Sequence, residues 1–85
     1  IVAGDFNATL DHEPMRYLTG CSDVASTTGT GGLATWPTSS RTALLGATID
    51  HVIVNRTTWL PQASKVLDVE GSDHRAVVAV VSPRD

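Results

Sequence analysis

The chain has 85 residues, 41% of them hydrophobic, and a net charge of −3. That length allows one domain at most, the apolar share excludes a disordered tail, and a unit this small is only marginally stable. The six basic residues, Arg16, Arg41, Arg56, Lys65, Arg75 and Arg84, are scattered, which excludes a basic stripe for gripping a phosphate backbone.

The opening Ile1-Val2-Ala3 starts inside an apolar run and reads as a segment cut from a longer chain. Residues 1–6 are expected to form a strand, apolar until Gly4-Asp5. A short helix should follow, with Asp11 as cap, Pro14 in the first turn, Met15 and Leu18 on one face and Gly20 as the stop. Cys21 is alone, so no intrachain disulfide exists; the expectation is a small buried hydrophobe. Residues 22–33, rich in Ser, Thr and Gly, are expected to be a mobile surface loop. They lack the Gly-Lys-Ser/Thr ending of a phosphate-binding P-loop. A short extended piece, Ala34-Thr35-Trp36-Pro37, should lead into a turn at Pro37-Thr38-Ser39-Ser40. Strands are expected at 48–55, 64–69 and 75–82. The last, Ala76-Val77-Val78-Ala79-Val80-Val81 at its centre, is apolar enough for an interior strand covered on both faces. No apolar run approaches the roughly 20 residues that span a membrane. Strand, helix and then mostly strands make the class α/β or α+β.

Three short clusters carry the chemistry, each at the end of an expected strand. In Gly4-Asp5-Phe6-Asn7, the carboxylate and the amide are two apart and point the same way on an extended chain, fit for a water, a hard cation or a phosphate oxygen. The plain alternative is a strand end with an Asx turn. In Ile49-Asp50-His51, the carboxylate stands at the head of an apolar strand and is costly to bury without a partner. The alternative there is a strand cap with a solvent-facing His. In Gly71-Ser72-Asp73-His74, the Gly-Ser turn lets neighbouring acid and imidazole converge; the alternative is a polar loop. His12 and His51 are expected to be structural, His12 exposed or capping and His51 facing away from Asp50.

Taken in order, Gly-Asp-Phe-Asn, Ile-Asp-His and Ser-Asp-His, with Trp36-Pro37 ahead of the second, the series resembles the C-terminal motifs of the endonuclease/exonuclease/phosphatase superfamily. The resemblance covers residues 1–81. It implies the C-terminal half of a DNase I-like four-layer α/β sandwich, so that residues 1–85 would be one part of a single domain. It implies Mg²⁺- or Mn²⁺-dependent hydrolysis of a phosphate ester by an activated water. Asp5 would orient or deprotonate that water, or bind the metal; Asn7 would hold it or a phosphate oxygen. Asp73 would be a metal ligand, His74 would donate to a non-bridging oxygen, and Asp50 would orient His74. Oxygen donors suit a hard cation, and the thiolates and clustered imidazoles that zinc prefers are missing.

The same resemblance implies a metal-binding Glu, an Asn and a further His ahead of Ile1. Without them, residues 1–85 are expected to have little or no activity, and the open sheet is expected to expose an apolar patch or to self-associate. The substrate, whether nucleic acid, phospholipid or inositol phosphate, is not decided by these motifs. Some bacterial members of the superfamily carry membrane helices before this domain, which would hold it outside the cytoplasm; the sequence leaves the location open. A non-catalytic binding module on the same fold is the competing reading, but it has little reason to retain Asp5, Asn7, Asp50, Asp73 and His74 together. A generic β-rich domain would need three coincidences.

Overall fold

A computed structural model describes residues 1–38 and 46–85. Two antiparallel sheets and one short α-helix make up the fold, an α/β arrangement dominated by strands. The first sheet has the order β1-β3-β2, from β1 (Val2–Asp5), β2 (Cys21–Asp23) and β3 (Asp50–Asn55). The second is a pair, β4 (Trp59–Leu67) and β5 (Ala76–Pro83). The helix α1 (Val24–Thr28) touches β2, β3, β4 and β5 and so packs between the sheets. The small core gathers around it: Val24, Ala25, Ala34, Ile53 and Val54 are buried. None of the described helices is long and apolar enough to cross a membrane.

The largest departure from expectation is at residues 22–33. They are not a surface loop but contain the end of β2 and all of α1. Asp23 caps the helix by accepting the Ser26 N–H at 2.9 Å, and Gly29 closes it in the left-handed region at φ 98°. Val24, Thr27 and Thr28 are poor helix formers, so the helix stays short and depends on its caps and on the burial of Val24 and Ala25. The Thr27 and Thr28 hydroxyls donate back to the Asp23 and Val24 carbonyls, at 3.0 and 2.7 Å. Thr28 and Thr30 both bond the Ser64 hydroxyl, which ties the helix to β4.

Other boundaries also move. The helix expected after β1 is a 3-10 turn, Glu13–Tyr17, capped at His12 without a side-chain bond. Asp11 instead accepts from the Thr9 hydroxyl. Cys21 is half-buried rather than buried, at the start of an edge strand. β4 begins at Trp59, ahead of the expected residue 64. Pro61 argues against a strand, but β4 is an edge and carries a bulge at Pro61/Ala63, where a missing N–H costs nothing. The turn expected at Pro37-Thr38-Ser39-Ser40 lies partly outside the described residues, as does Arg41.

β5 is not an interior strand covered on both faces. Among the described residues it pairs only with β4, and its burial alternates. Val66, Val77 and Val81 lie on the side that carries Ser64 and meets α1. Val78 and Val80, with Leu67 across the pair, form an exposed apolar outer face. Truncation should therefore cost very different amounts on the two sides. Val54→Ala, at a site 1% exposed, is expected to lose about 2 kcal/mol of unfolding free energy. Val80→Thr, at a site 52% exposed, should stay within about 0.5 kcal/mol of the parent. Urea titration of both variants checks this, and equal losses would refute the assignment of faces.

Candidate functional site

β1 and β3 run antiparallel with Asp5 directly opposite Asp50. Two carboxylates in that register repel each other, and the structure answers with an imidazole. His74 Nδ1 lies 2.8 Å from Asp50 Oδ2, and its Nε2 lies 3.7 Å from Asp5 Oδ2. Asp73 Oδ1 approaches the same Nε2 at 4.0 Å. The hydrogen bond to Asp50 raises the His74 pKa above its ordinary value of 6.5; partial burial opposes the shift, and the charges of Asp50, Asp5 and Asp73 add to it. With Nδ1 donating to Asp50, Nε2–H points toward the open side, where Asp5 and Asp73 stand.

Each backbone delivers its group by a local device. β1 ends at Asp5, and Asn7 adopts φ 52°. Strand alternation therefore does not align Asp5 with Asn7. An Asx turn links them, with the Asn7 N–H on Asp5 Oδ1 at 2.8 Å, and leaves Oδ2 for His74. Gly71, at φ 81°, turns the chain after β4, and the Ser72 hydroxyl accepts the His74 N–H at 3.1 Å. Adjacent Asp73 and His74 can then face one another's side chains.

Ligand atoms of Asp5, Asp50 and His74 lie within 4.8 Å of one another. The Asp50–His74 contact is already a hydrogen bond, and a protonated imidazole repels cations, so these three are better described as a proton network than as a ligand set. The oxygens open to a cation are those of Asp5 and Asp73. Asp73 has a side chain 80% exposed. A hard, hydrated ion such as Mg²⁺ fits that donor chemistry, since it binds through one or two carboxylates and keeps several waters.

A second His–Asp pair lies behind the first sheet. His51 is 2% exposed, with Nε2 at 2.8 Å from the Ala8 carbonyl and Nδ1 at 3.3 Å from Asp23 Oδ1. That last contact is a close ion pair rather than an aligned hydrogen bond, and neither atom has a hydrogen-bond partner. The ring also meets Phe6 edge-on at 5.6 Å. His51 does face away from the Asp50 side chain and is structural: it anchors the chain just past Asn7. It is not solvent-facing.

Sequence reasoning passed over three residues that hold the site. Asp23 was readable from its spacing to Gly29, a cap-to-stop signature masked by the Ser/Thr/Gly composition between them. Arg75, 7% exposed, donates to Asp68 at 2.9 Å and to the Ala34 carbonyl at 3.0 Å; its one signal was its place at the head of the last apolar strand. Thr35, fully buried, stood out only as the residue ahead of Trp36-Pro37.

A family model described as "Endonuclease/Exonuclease/phosphatase family" matches residues 1–74. No curated protein and no solved structure matches the chain.

The buried pair sets a pH window for stability. Burial works against the charged His51, but Asp23 and the Ala8 carbonyl outweigh it and raise its pKa above 6.5. Burial likewise opposes ionised Asp23, but the neighbouring His51 ring and the Ser26 N–H hold its pKa below 3.8. The His51 contribution is full below 6.5 and is lost as pH rises through the raised value. The Asp23 contribution is full above 3.8 and is lost as pH falls through the lowered one. Urea midpoints should thus be highest between 3.8 and 6.5. Asp23→Asn, which keeps a capping side chain, should flatten that profile; an unchanged profile would show that the pair is not coupled to folding.

Proposed function

The chain belongs to the endonuclease/exonuclease/phosphatase family, whose members are hydrolases of the phosphoesterase type and share the DNase I-like fold; from that premise we propose that it serves divalent-metal-dependent hydrolysis of a phosphate ester. The observation that carries the reading is the meeting of three motifs at one imidazole. Asp50 holds His74 from one side at 2.8 Å, while Asp5 and Asp73 flank its other nitrogen.

In this mechanism a water attacks phosphorus and gives its proton to the Asp5 carboxylate, the bond from phosphorus to the ester oxygen breaks, and that oxygen leaves as the alcohol after taking a proton from solvent at the open site. Asn7, held next to Asp5 by the Asx turn, binds the water or a phosphate oxygen. His74 donates Nε2–H to a non-bridging oxygen, where charge grows in the transition state. Asp50 fixes the tautomer and favours the charged ring. Asp5 and Asp73 are the residues to hold Mg²⁺ or Mn²⁺, which when bound neutralises charge on the phosphoryl group.

The site is open to water on the Asp73 side. An uncovered site weakens electrostatic stabilisation, so turnover by these 85 residues alone should be slow. A further protein segment covering the site would exclude that water.

The first test is metal binding. Titrating Mg²⁺ and Mn²⁺ into the isotope-labelled chain should shift or broaden the amides of Asp5, Asn7, Asp73 and His74, and Asp73→Ala should abolish the response. A folded spectrum indifferent to both ions sinks the metal site. The second is pH dependence of hydrolysis of a generic aryl phosphodiester. The rate should fall as pH rises through the raised His74 pKa, and Asp50→Asn should move that limb to lower pH. His74→Ala should cost on the order of 10²–10³ in rate. Robust turnover unaffected by these changes would place the chemistry elsewhere.

A further inference from the structure

Asp50 heads β3 in the first sheet, while His74 lies in the loop before β5, and no strand ladder aligns one with the other. The alignment comes from a strap of backbone, residues 34–38, that lies between the two. Thr35 is its centre and is 0% exposed. The Thr35 hydroxyl oxygen accepts the N–H of Ile49 at 3.0 Å and that of Asp50 at 3.1 Å, at the start of β3 where β2 does not reach. A hydroxyl oxygen has two lone pairs and both are used. Its own hydrogen faces the Ala47 carbonyl at 3.5 Å, and its backbone N–H donates to the same carbonyl at 3.0 Å. On the other side, the Thr35 carbonyl accepts the N–H of Arg75 at 2.7 Å, the residue after His74. One buried residue therefore grips the backbone at Asp50 and next to His74.

The strap continues the grip. Thr38 donates its N–H to the Asp73 carbonyl at 3.0 Å and its hydroxyl to the Ser72 carbonyl at 2.9 Å. Arg75 returns a bond from its guanidinium to the Ala34 carbonyl. Residues 72, 73 and 75 are thus tied to the strap on both sides of His74. Gly46 lets the neighbouring chain lie flat against it, since a Cβ there would come within 2.5 Å of the Trp36 carbonyl oxygen.

We propose that Thr35 is a positioning residue for the Asp50–His74 pair: its hydroxyl sets the Asp50 backbone and its carbonyl sets the His74 loop, so that the two side chains meet only while this strap is seated. The inference rests on the reading of Asp50 and His74 as the working pair of the site. Simple packing would ask only for a buried side chain of the right volume. Positioning asks for an oxygen that accepts two N–H groups. Valine matches threonine in shape and lacks the oxygen, whereas serine keeps the oxygen and lacks the methyl.

The experiment is proton NMR of the labelled chain, reading the His74 Nδ1–H resonance in the parent, Thr35→Val and Thr35→Ser. In the parent, a downfield, slowly exchanging Nδ1 proton is expected. Thr35→Val should raise its exchange rate at least about tenfold or broaden it away, because a small misplacement is enough to break a short, aligned bond. Thr35→Ser should restore it despite the missing methyl. A parent-like signal in Thr35→Val, or a loss in Thr35→Ser equal to that in Thr35→Val, overturns the proposal. Absence of the signal in the parent refutes the Asp50–His74 pair itself, and with it the proposed function. Amide dispersion of β4 and β5 reports folding; if Thr35→Val loses it, Thr38→Val at the half-buried end of the strap is decisive, since an undisturbed His74 signal there also overturns the proposal.

Discussion

One hydrogen bond, from His74 Nδ1 to Asp50 Oδ2, joins the ends of two sheets that otherwise meet mainly through a five-residue helix. It also resolves an electrostatic conflict. The register of β1 and β3 sets Asp5 against Asp50, which like charges disfavour. The imidazole between them turns that repulsion into a proton network. The acids raise the pKa of the ring, and the ring neutralises part of their charge. A strand register costly by itself becomes the frame of the site.

The chain uses the same residue pair twice, with opposite results. His51 and Asp23 are sealed inside, and their contacts end on a helix cap and on the Ala8 carbonyl. No proton acceptor from solvent can reach them, so they hold structure. His74 and Asp50 lie at the open end of the sheets, with Nε2 directed to the side where Asp5 and Asp73 are exposed. Exposure, not residue type, separates an anchor from a pair that a ligand can reach. The anchor supports the reactive pair, because the Ala8 carbonyl it binds directly follows Asn7.

Much of this was legible in the residues. Strands at the two ends and before Asn55 follow from β-branched runs, and the three acidic motifs stood out because each places a carboxylate beside an apolar strand, where it needs a partner. The helix at 24–28 was not legible from composition, because Ser, Thr and Gly usually mark loops; only the Asp23–Gly29 spacing carried it. The uncovered face of β5 was not legible either. A run of Val and Ala reads the same whether one sheet face or both are covered, and neighbours decide which.

The sequence by itself put forward the candidate groups, Asp5, Asn7, Asp50, Asp73 and His74, and the family follows from the order of their motifs. Tertiary structure alone decided how they meet. Asp50 and His74 are 24 residues apart and meet at 2.8 Å, and a strap from a third segment bonds Asp50 and the residues on either side of His74. Such bonds run largely through backbone N–H and C=O groups, which every residue carries, so side-chain identity leaves almost no trace of them. A motif states what a residue can do, while the backbone bonds of distant segments set where it stands.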